Sequence, residues 1–232
     1  MQYIGKRRKE PAFIKATKKH VINSTRTISN STQISNAYKA AFDNLLDKNK
    51  LRLLLAEEQG YICCYCMKRI KSVDSRIINS RIEHYKCRDL YPLNSIDYDN
   101  LLLACDGNEK LSKKYYCCDK KKENKILSFN PQSKNDIDTI KYLKNGYIKS
   151  TNITFDNELN EILNLNLQNL VEERTSIIRT LNKKLDTKTG LAKKNFLKKL
   201  FNFWGEKDRL GKHKEYYMLA VCYLNKKNQR VH

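Results

Sequence analysis

Seven of the eight cysteines of this 232-residue chain fall between positions 63 and 118, as Cys63, Cys64, Cys66, Cys87, Cys105, Cys117 and Cys118; the eighth is Cys222. No stretch reaches the roughly 20 apolar residues of a membrane span. No apolar run follows Met1 as in a signal peptide. The expected compartment is therefore the cytoplasm, where clustered cysteines indicate metal binding more often than disulfides. Cys63-x2-Cys66 places two thiolates on one tight turn, each about 2.3 Å from a single Zn2+. Cys64-x1-Cys66 is too cramped for two ligands. A later pair, Cys105 with Cys117 or Cys118, completes a tetrahedron, and spacing alone does not choose between the last two. The competing reading is a set of buried free thiols acting as small apolar residues.

Residues 61–130 carry no long helical period before Cys118, so short strands, loops and one helix are expected there. The flanks differ. Ala40, Ala41, Leu45, Leu46, Leu51, Leu54 and Leu55 give a helical apolar face over 36–60, and Gly60 is a natural stop. Residues 131–158 read as a connection with a turn at Asn145–Gly146. A helix is expected from about 159, with Leu163, Leu167, Leu170, Val171, Ile177, Ile178, Leu181 and Leu185 on one face. Two more are expected over 190–204 and 213–226. The predicted fold class is α+β: a small metal-stapled unit (61–130) between an N-terminal arm with helices (1–60) and a helical supporting or partner-docking region (131–232).

The formal net charge is +21. Solubility needs a magnitude of only about 2–8 in a small domain, so a polyanionic partner is the economical explanation, and nucleic acid the first expectation. Lys6, Arg7, Arg8 and Lys9 form a charge run in a segment read as a loose tail or a phosphate-touching arm. Tyr115 and Tyr116 offer surfaces for base stacking or for packing.

Between the cysteine pairs lies Ser80-Arg81-Ile82-Glu83-His84-Tyr85, which reads as a short strand. It is followed by Tyr98-Asp99-Asn100-Leu101-Leu102-Leu103-Ala104-Cys105. Then comes Cys118-Asp119-Lys120-Lys121-Lys122, the apparent start of a helix. The order Cys-x2-Cys, Glu-His, Asn-Leu-Leu-x-x-Cys, Cys-Asp-x-x-Lys resembles HNH endonucleases of the ββα-metal type. The nearer resemblance is to the PtuB-like branch of Septu-type and retron-associated anti-phage defence systems. Outside the core, Lys9-Glu10-Pro11, the run Glu58 to Cys66, Ile162 to Asn166 and Arg174 are similar to that branch. The resemblance covers roughly residues 5–185.

That resemblance implies a set of roles. His84 is the general base that deprotonates water. Asn100 orients the loop carrying the histidine. Glu83 and Asp119 hold a catalytic Mg2+ or Mn2+, and Lys120 and Lys122 hold flanking phosphates. Cys118 is favoured over Cys117 as the fourth ligand of the structural zinc. Glu83 stands where many of these nucleases have Asp, and Asp119 where many have Asn or His. The implied partners are nucleic acid, with DNA ahead of RNA or tRNA, a PtuA-like ATPase subunit, and a retron reverse transcriptase with its RNA–DNA hybrid. No Gly-x4-Gly-Lys-Ser/Thr loop is present, so ATP hydrolysis would come from elsewhere. The blander roles are a salt bridge for Glu83, a helix cap for Asn100 and a solvated face for Lys120 to Lys122. The competing function is a non-catalytic zinc module that binds nucleic acid or serves as an adaptor.

Overall fold

A computed structural model describes residues 1–6, 9–73 and 76–229. Arg7 and Arg8 of the basic run lie outside the described residues. About half of the chain is helical and the strands form small antiparallel pairs, a mixed α+β architecture. Helices α1 (Ala12–Thr25), α2 (Ser31–Asp43) and α3 (Lys48–Gln59) precede strands β1 (Lys71–Val73), β2 (Arg76–Ile78), β3 (Ser80–His84) and β4 (Leu101–Cys105). Then follow α4 (Cys118–Lys122), α5 (Lys134–Asp138), β5 (Ile140–Tyr142), β6 (Ile148–Ser150) and α6 (Ile153–Asn157), which runs into a π-turn over Glu158–Ile162. Helices α7 (Gln168–Asp186), α8 (Gly190–Gly205) and α9 (Tyr217–Asn228) complete the chain. No helix among the described residues is long and apolar enough to cross a membrane.

The helix expected over 36–60 is two helices. Asn44 caps the first, its N–H bonding back to Ala40 and Phe42, and the second starts at Lys48. Neither Gly nor Pro marks the break. Across the break Leu45 is buried while Leu46 is 99% exposed. Gly60 ends α3 at φ +68°, where a side chain is strained. A Cβ there would also lie 2.4 Å from the His213 ring.

The N-terminal segment is not a loose tail. Gln2 and Ile4 are buried, Ile4 N–H bonds Pro131 O at 2.9 Å, and Gln2 Nε2 donates to Gln59 O at 3.1 Å. Lys6 pairs with Glu58 at 3.1 Å and donates to Leu101 O at 2.7 Å. The expected connection over 131–158 is structured as well. It forms the β5–β6 hairpin around Asn145–Gly146, with Leu143 N–H bonded to Tyr147 O. Leu163 and Leu167, placed on the long helix by periodicity, precede α7. The later helices lie close to their expected ranges. Buried side chains from all three segments form one cluster.

Strand β4 is central to that cluster, and all five of its residues are buried. One edge pairs with β3, from Ser80↔Cys105 to His84↔Leu101. Among the described residues the other edge has no partner strand, so its polar groups need other partners. Gln59 supplies two of them: its Oε1 accepts from Leu103 N–H and its Nε2 donates to Leu103 O, both at 2.8 Å. Cys64 N–H also reaches Leu103 O, at 3.0 Å.

Arg174 performs a similar task farther along. Its guanidinium, 1% exposed, donates to Gly146 O at 2.6 Å and Leu165 O at 2.7 Å, tying the β5–β6 turn to the strap before α7. Removing it would strand two buried carbonyls, each costing about 1–3 kcal/mol. Arg174→Ala is expected to lower unfolding free energy by about 3 kcal/mol. Urea denaturation of the metal-loaded protein would measure this.

Candidate metal centre and adjoining cleft

The first two cysteines of the cluster come from a knuckle after α3. Cys63 N–H bonds Lys68 O at 2.9 Å, Met67 N–H bonds Cys63 O at 3.2 Å, and Met67 takes a left-handed φ of 65° to close the turn. Lys68 N–H points at Cys66 Sγ, 3.5 Å away. The second pair comes from the end of β4 and the start of α4. Gly107 allows the return between them: at φ +64°, an added Cβ would sit 2.4 Å from Cys117 O and 2.5 Å from Lys120 Cβ. Cys118 is itself left-handed, at φ 55°, and its N–H is held by Leu163 O at 2.9 Å.

The Sγ atoms of Cys63, Cys66, Cys105 and Cys118 all lie within 4.8 Å of one another, and all four residues are buried. Cys63–Cys118 and Cys66–Cys105 are each separated by 3.8 Å. A tetrahedron with arms of about 2.3 Å has edges of about 3.8 Å, so the four thiols fit a Zn2+ ion. These four cysteines could bind a metal such as zinc. Cys118, not Cys117, is in the set; the Cys117 thiol lies 3.9 Å from Asn108 Nδ2. Cys64 and Cys87 are buried outside it.

A cleft of about 510 Å³ opens beside this centre, and Glu83, His84, Asp119 and Lys120 all line it. His84 closes β3. Its ring is edge-on to Phe42 of α2, with centroids 4.4 Å apart. Nε2 lies 3.0 Å from Ser95 O, a geometry in which Nε2–H donates. Among the described residues, Ser80 Oγ and His213 Nδ1 are the sealed side-chain polar atoms without a partner. The second nitrogen of His84 is not among them, and with Nε2–H donating it carries the ring's lone pair. Burial pushes His84 down to about 4. The bond to Ser95 and the charge of Asp119 oppose the shift, while Arg88 and Lys122 add to it.

Asn100 braces this arrangement. Its Oδ1 accepts from Lys86 N–H at 2.7 Å, and its Nδ2 donates to Lys86 O at 3.0 Å and Asn94 O at 3.1 Å. The loop so held presents Ser95 to the imidazole. Leu101 onward is a strand, so Asn100 is not a helix cap there.

Glu83 is fully buried and accepts from Tyr65 Oη at 2.7 Å and from the Lys122 ammonium at 2.9 Å. Asp119 receives Arg81 Nε at 2.5 Å, and Arg81 also reaches Glu109 at 3.1 Å. The two carboxyls are close enough to act on each other's protonation. Burial, then the neighbouring Asp119, pushes Glu83 well above the usual carboxylate range, although Lys122 pulls it back. Burial also acts upward on Asp119, but Glu83 and Arg81 outweigh that and hold it low.

No protein-family model matches the chain, and no curated protein matches it in sequence.

The arrangement corrects one expectation. Lys122 is not available to a phosphate: it is 0% exposed, and its ammonium is committed to Glu83 and to His84 O at 3.2 Å. A buried charge persists only when paired in this way. Lys120 lines the cleft, its ammonium 5.1 Å from the centre of the Tyr116 ring. Four contributors escaped the sequence reading. Tyr65 lay in plain view inside Cys63-Cys64-Tyr65-Cys66. Phe42 and Arg52 come from helices far away in sequence, and Arg81 had no motif to mark it.

Two outcomes follow from this geometry. The purified chain is expected to hold about one zinc ion, and Cys105→Ser to lose it. Because such a site contributes on the order of 10 kcal/mol to folding, strong chelation should unfold the region; metal analysis and circular dichroism would register both. By histidine-detected NMR, the His84 ring should stay neutral between about pH 5 and 8, in the Nε2–H tautomer. A group pushed down to about 4 gains its proton only below that range.

Proposed function

We propose that this chain is a metal-dependent endonuclease of the HNH type, cleaving phosphodiester bonds of nucleic acid, with DNA the favoured substrate. The observation that carries the reading is the His84 imidazole, bonded through Nε2 to Ser95 O, with its pKa held down by burial, and lining one cleft with the Glu83 and Asp119 carboxyls. Supporting it is the local succession of β3, β4 and α4. It is the order of a ββα-metal unit, with Glu83–His84 at the end of one strand and Asp119 in the first turn of the helix.

In this reading, His84 Nδ1 takes a proton from the attacking water. Ser95 O holds the ring against Nε2–H and favours the imidazolium that forms. Asn100 acts at one remove, by holding the Lys86–Asn94 loop. Lys120 takes a flanking phosphate. Glu83 and Asp119 are hard oxygen donors close together within a desolvated site, a donor set suited to Mg2+ or Mn2+. Such an ion, when bound, would neutralise charge building on the phosphate and leaving oxygen. The net charge of +21 suits a polyanionic substrate. By the resemblance, the protein serves a bacterial anti-phage system beside a PtuA-like ATPase, with a retron reverse transcriptase and its hybrid as further partners.

One observation favours a second reading, a nucleic-acid-binding or adaptor module without turnover. Lys122 and Arg81 already neutralise Glu83 and Asp119. A single assay separates the two. Wild type with Mg2+ or Mn2+ should cut plasmid, single-stranded DNA or tRNA. His84→Ala should keep its zinc and its fold and lose at least about a hundredfold in rate. Wild type that binds with steep salt dependence yet cuts none of the three would establish the second reading.

A further inference from the structure

The cleft beside the metal centre has a wall that does not come from the cysteine-bound unit. Lys48 and Arg52, one helical turn apart on α3, line it together with Arg81, Arg88 and Lys120. Most of these cations have work already. Arg81 holds Asp119 and Glu109, and Arg88 pairs with Asp43 at 2.6 Å. Lys48 donates to Asp43 O at 2.6 Å and lies over the Phe42 ring. Arg52 differs. Among the described residues its guanidinium has no hydrogen bond and no ion pair. Burial alone acts on it, pushing its pKa down with no acid to pull it back. Its guanidinium lines the cleft without a protein partner, so its donors are available to an anion that enters there.

We infer that Arg52 is a substrate-positioning residue that grips a phosphate of the nucleic-acid strand in the His84 cleft, so that the strand is held between α3 and the Lys120 side of α4. Arginine suits the role because its planar fork takes two phosphate oxygens at once, which a lysine does not. The geometry also assigns α3 a purpose: it carries the grip, while β3, β4 and α4 carry the reacting groups. The turnover arm of this inference rests on the endonuclease reading; the binding arm does not.

The test uses the full zinc-loaded chain with Arg52→Gln, Arg52→Lys and, as a charge control on the exposed face of α8, Lys198→Gln. Binding of a short fluorescein-labelled duplex is followed by anisotropy over a salt series without added divalent ion. Cleavage of the same duplex is followed with Mn2+. Arg52→Gln should reduce the slope of log Kd against log salt by about one and lower kcat/KM on the order of a hundredfold. Arg52→Lys should restore the slope but recover only part of kcat, and Lys198→Gln should leave kcat/KM near wild type. Equal thermal midpoints would exclude a folding defect. Arg52→Gln with wild-type slope and turnover overturns the inference, as does an equal loss in Lys198→Gln. If wild type binds with an Arg52-dependent slope but never cuts, the hydrolase reading falls and the grip stands. If it does not bind the duplex at all, both fall.

Discussion

Four thiols meet at one point in a part of this chain whose strands are short, and a metal ion bound there would hold that part together. Residues 61–130 are rich in lysine and loops, and their strands are three to five residues long. An ion bound by Cys63, Cys66, Cys105 and Cys118 would contribute about as much free energy as a whole small domain usually retains. Its effect is also geometric. The knuckle at Cys63–Cys66, the end of β4 at Cys105 and the first turn of α4 at Cys118 are drawn to a common centre. Residues adjacent to the ligands inherit that placement. Asp119 follows Cys118, Tyr65 precedes Cys66, and the five-residue pairing of β3 with β4 carries Glu83 and His84 to the same cleft.

Around that centre most buried polar groups are matched by a specific partner, Ser80 Oγ and His213 Nδ1 being exceptions among the described residues. Gln59 substitutes for a neighbouring strand at Leu103, Arg174 satisfies two loop carbonyls, and Lys122 is placed against Glu83 and the His84 carbonyl. Each arrangement follows from the same rule: a buried donor or acceptor left bare costs more than its bond would return. The result is a rigid floor beneath His84, with the ring's orientation set by Phe42 on one side and Ser95 on another.

Charge is divided unevenly between floor and walls. On the floor, acids and bases neutralise one another: Glu83 with Lys122, and Asp119 with Arg81. On the walls, Arg52 and Lys120 have no acidic partner among the described residues. In the proposed reading, such a site would attract an anion to its rim and meet it with carboxyls and an imidazole below. A phosphodiester has the matching chemistry, with negative oxygens outside and an electrophilic phosphorus between them. In that reading the divalent ion would join Lys122 and Arg81 in balancing the floor carboxyls, while the cationic walls meet the phosphates.

The sequence by itself determined what is local. Cys-x2-Cys spacing announced the knuckle, Ser80–His84 announced a strand, and the periodicity after 190 announced two helices, because turn geometry and helical period depend on near neighbours. It also set the α+β character and the excess of positive charge. Tertiary structure alone decided the rest. It placed Cys118 among the four clustered thiols, where spacing alone had left Cys117 and Cys118 open and only the resemblance favoured Cys118. It broke the helix at Asn44, where no Gly or Pro gave warning, and threaded the first six residues into the interior. It turned Lys122 from a surface charge into a buried partner of Glu83, and brought Phe42, Lys48 and Arg52 to a cleft whose carboxyls, Glu83 and Asp119, lie farther along the chain. These outcomes depend on which long-range surfaces fit and which buried charges find partners, and no window of neighbouring residues contains that information.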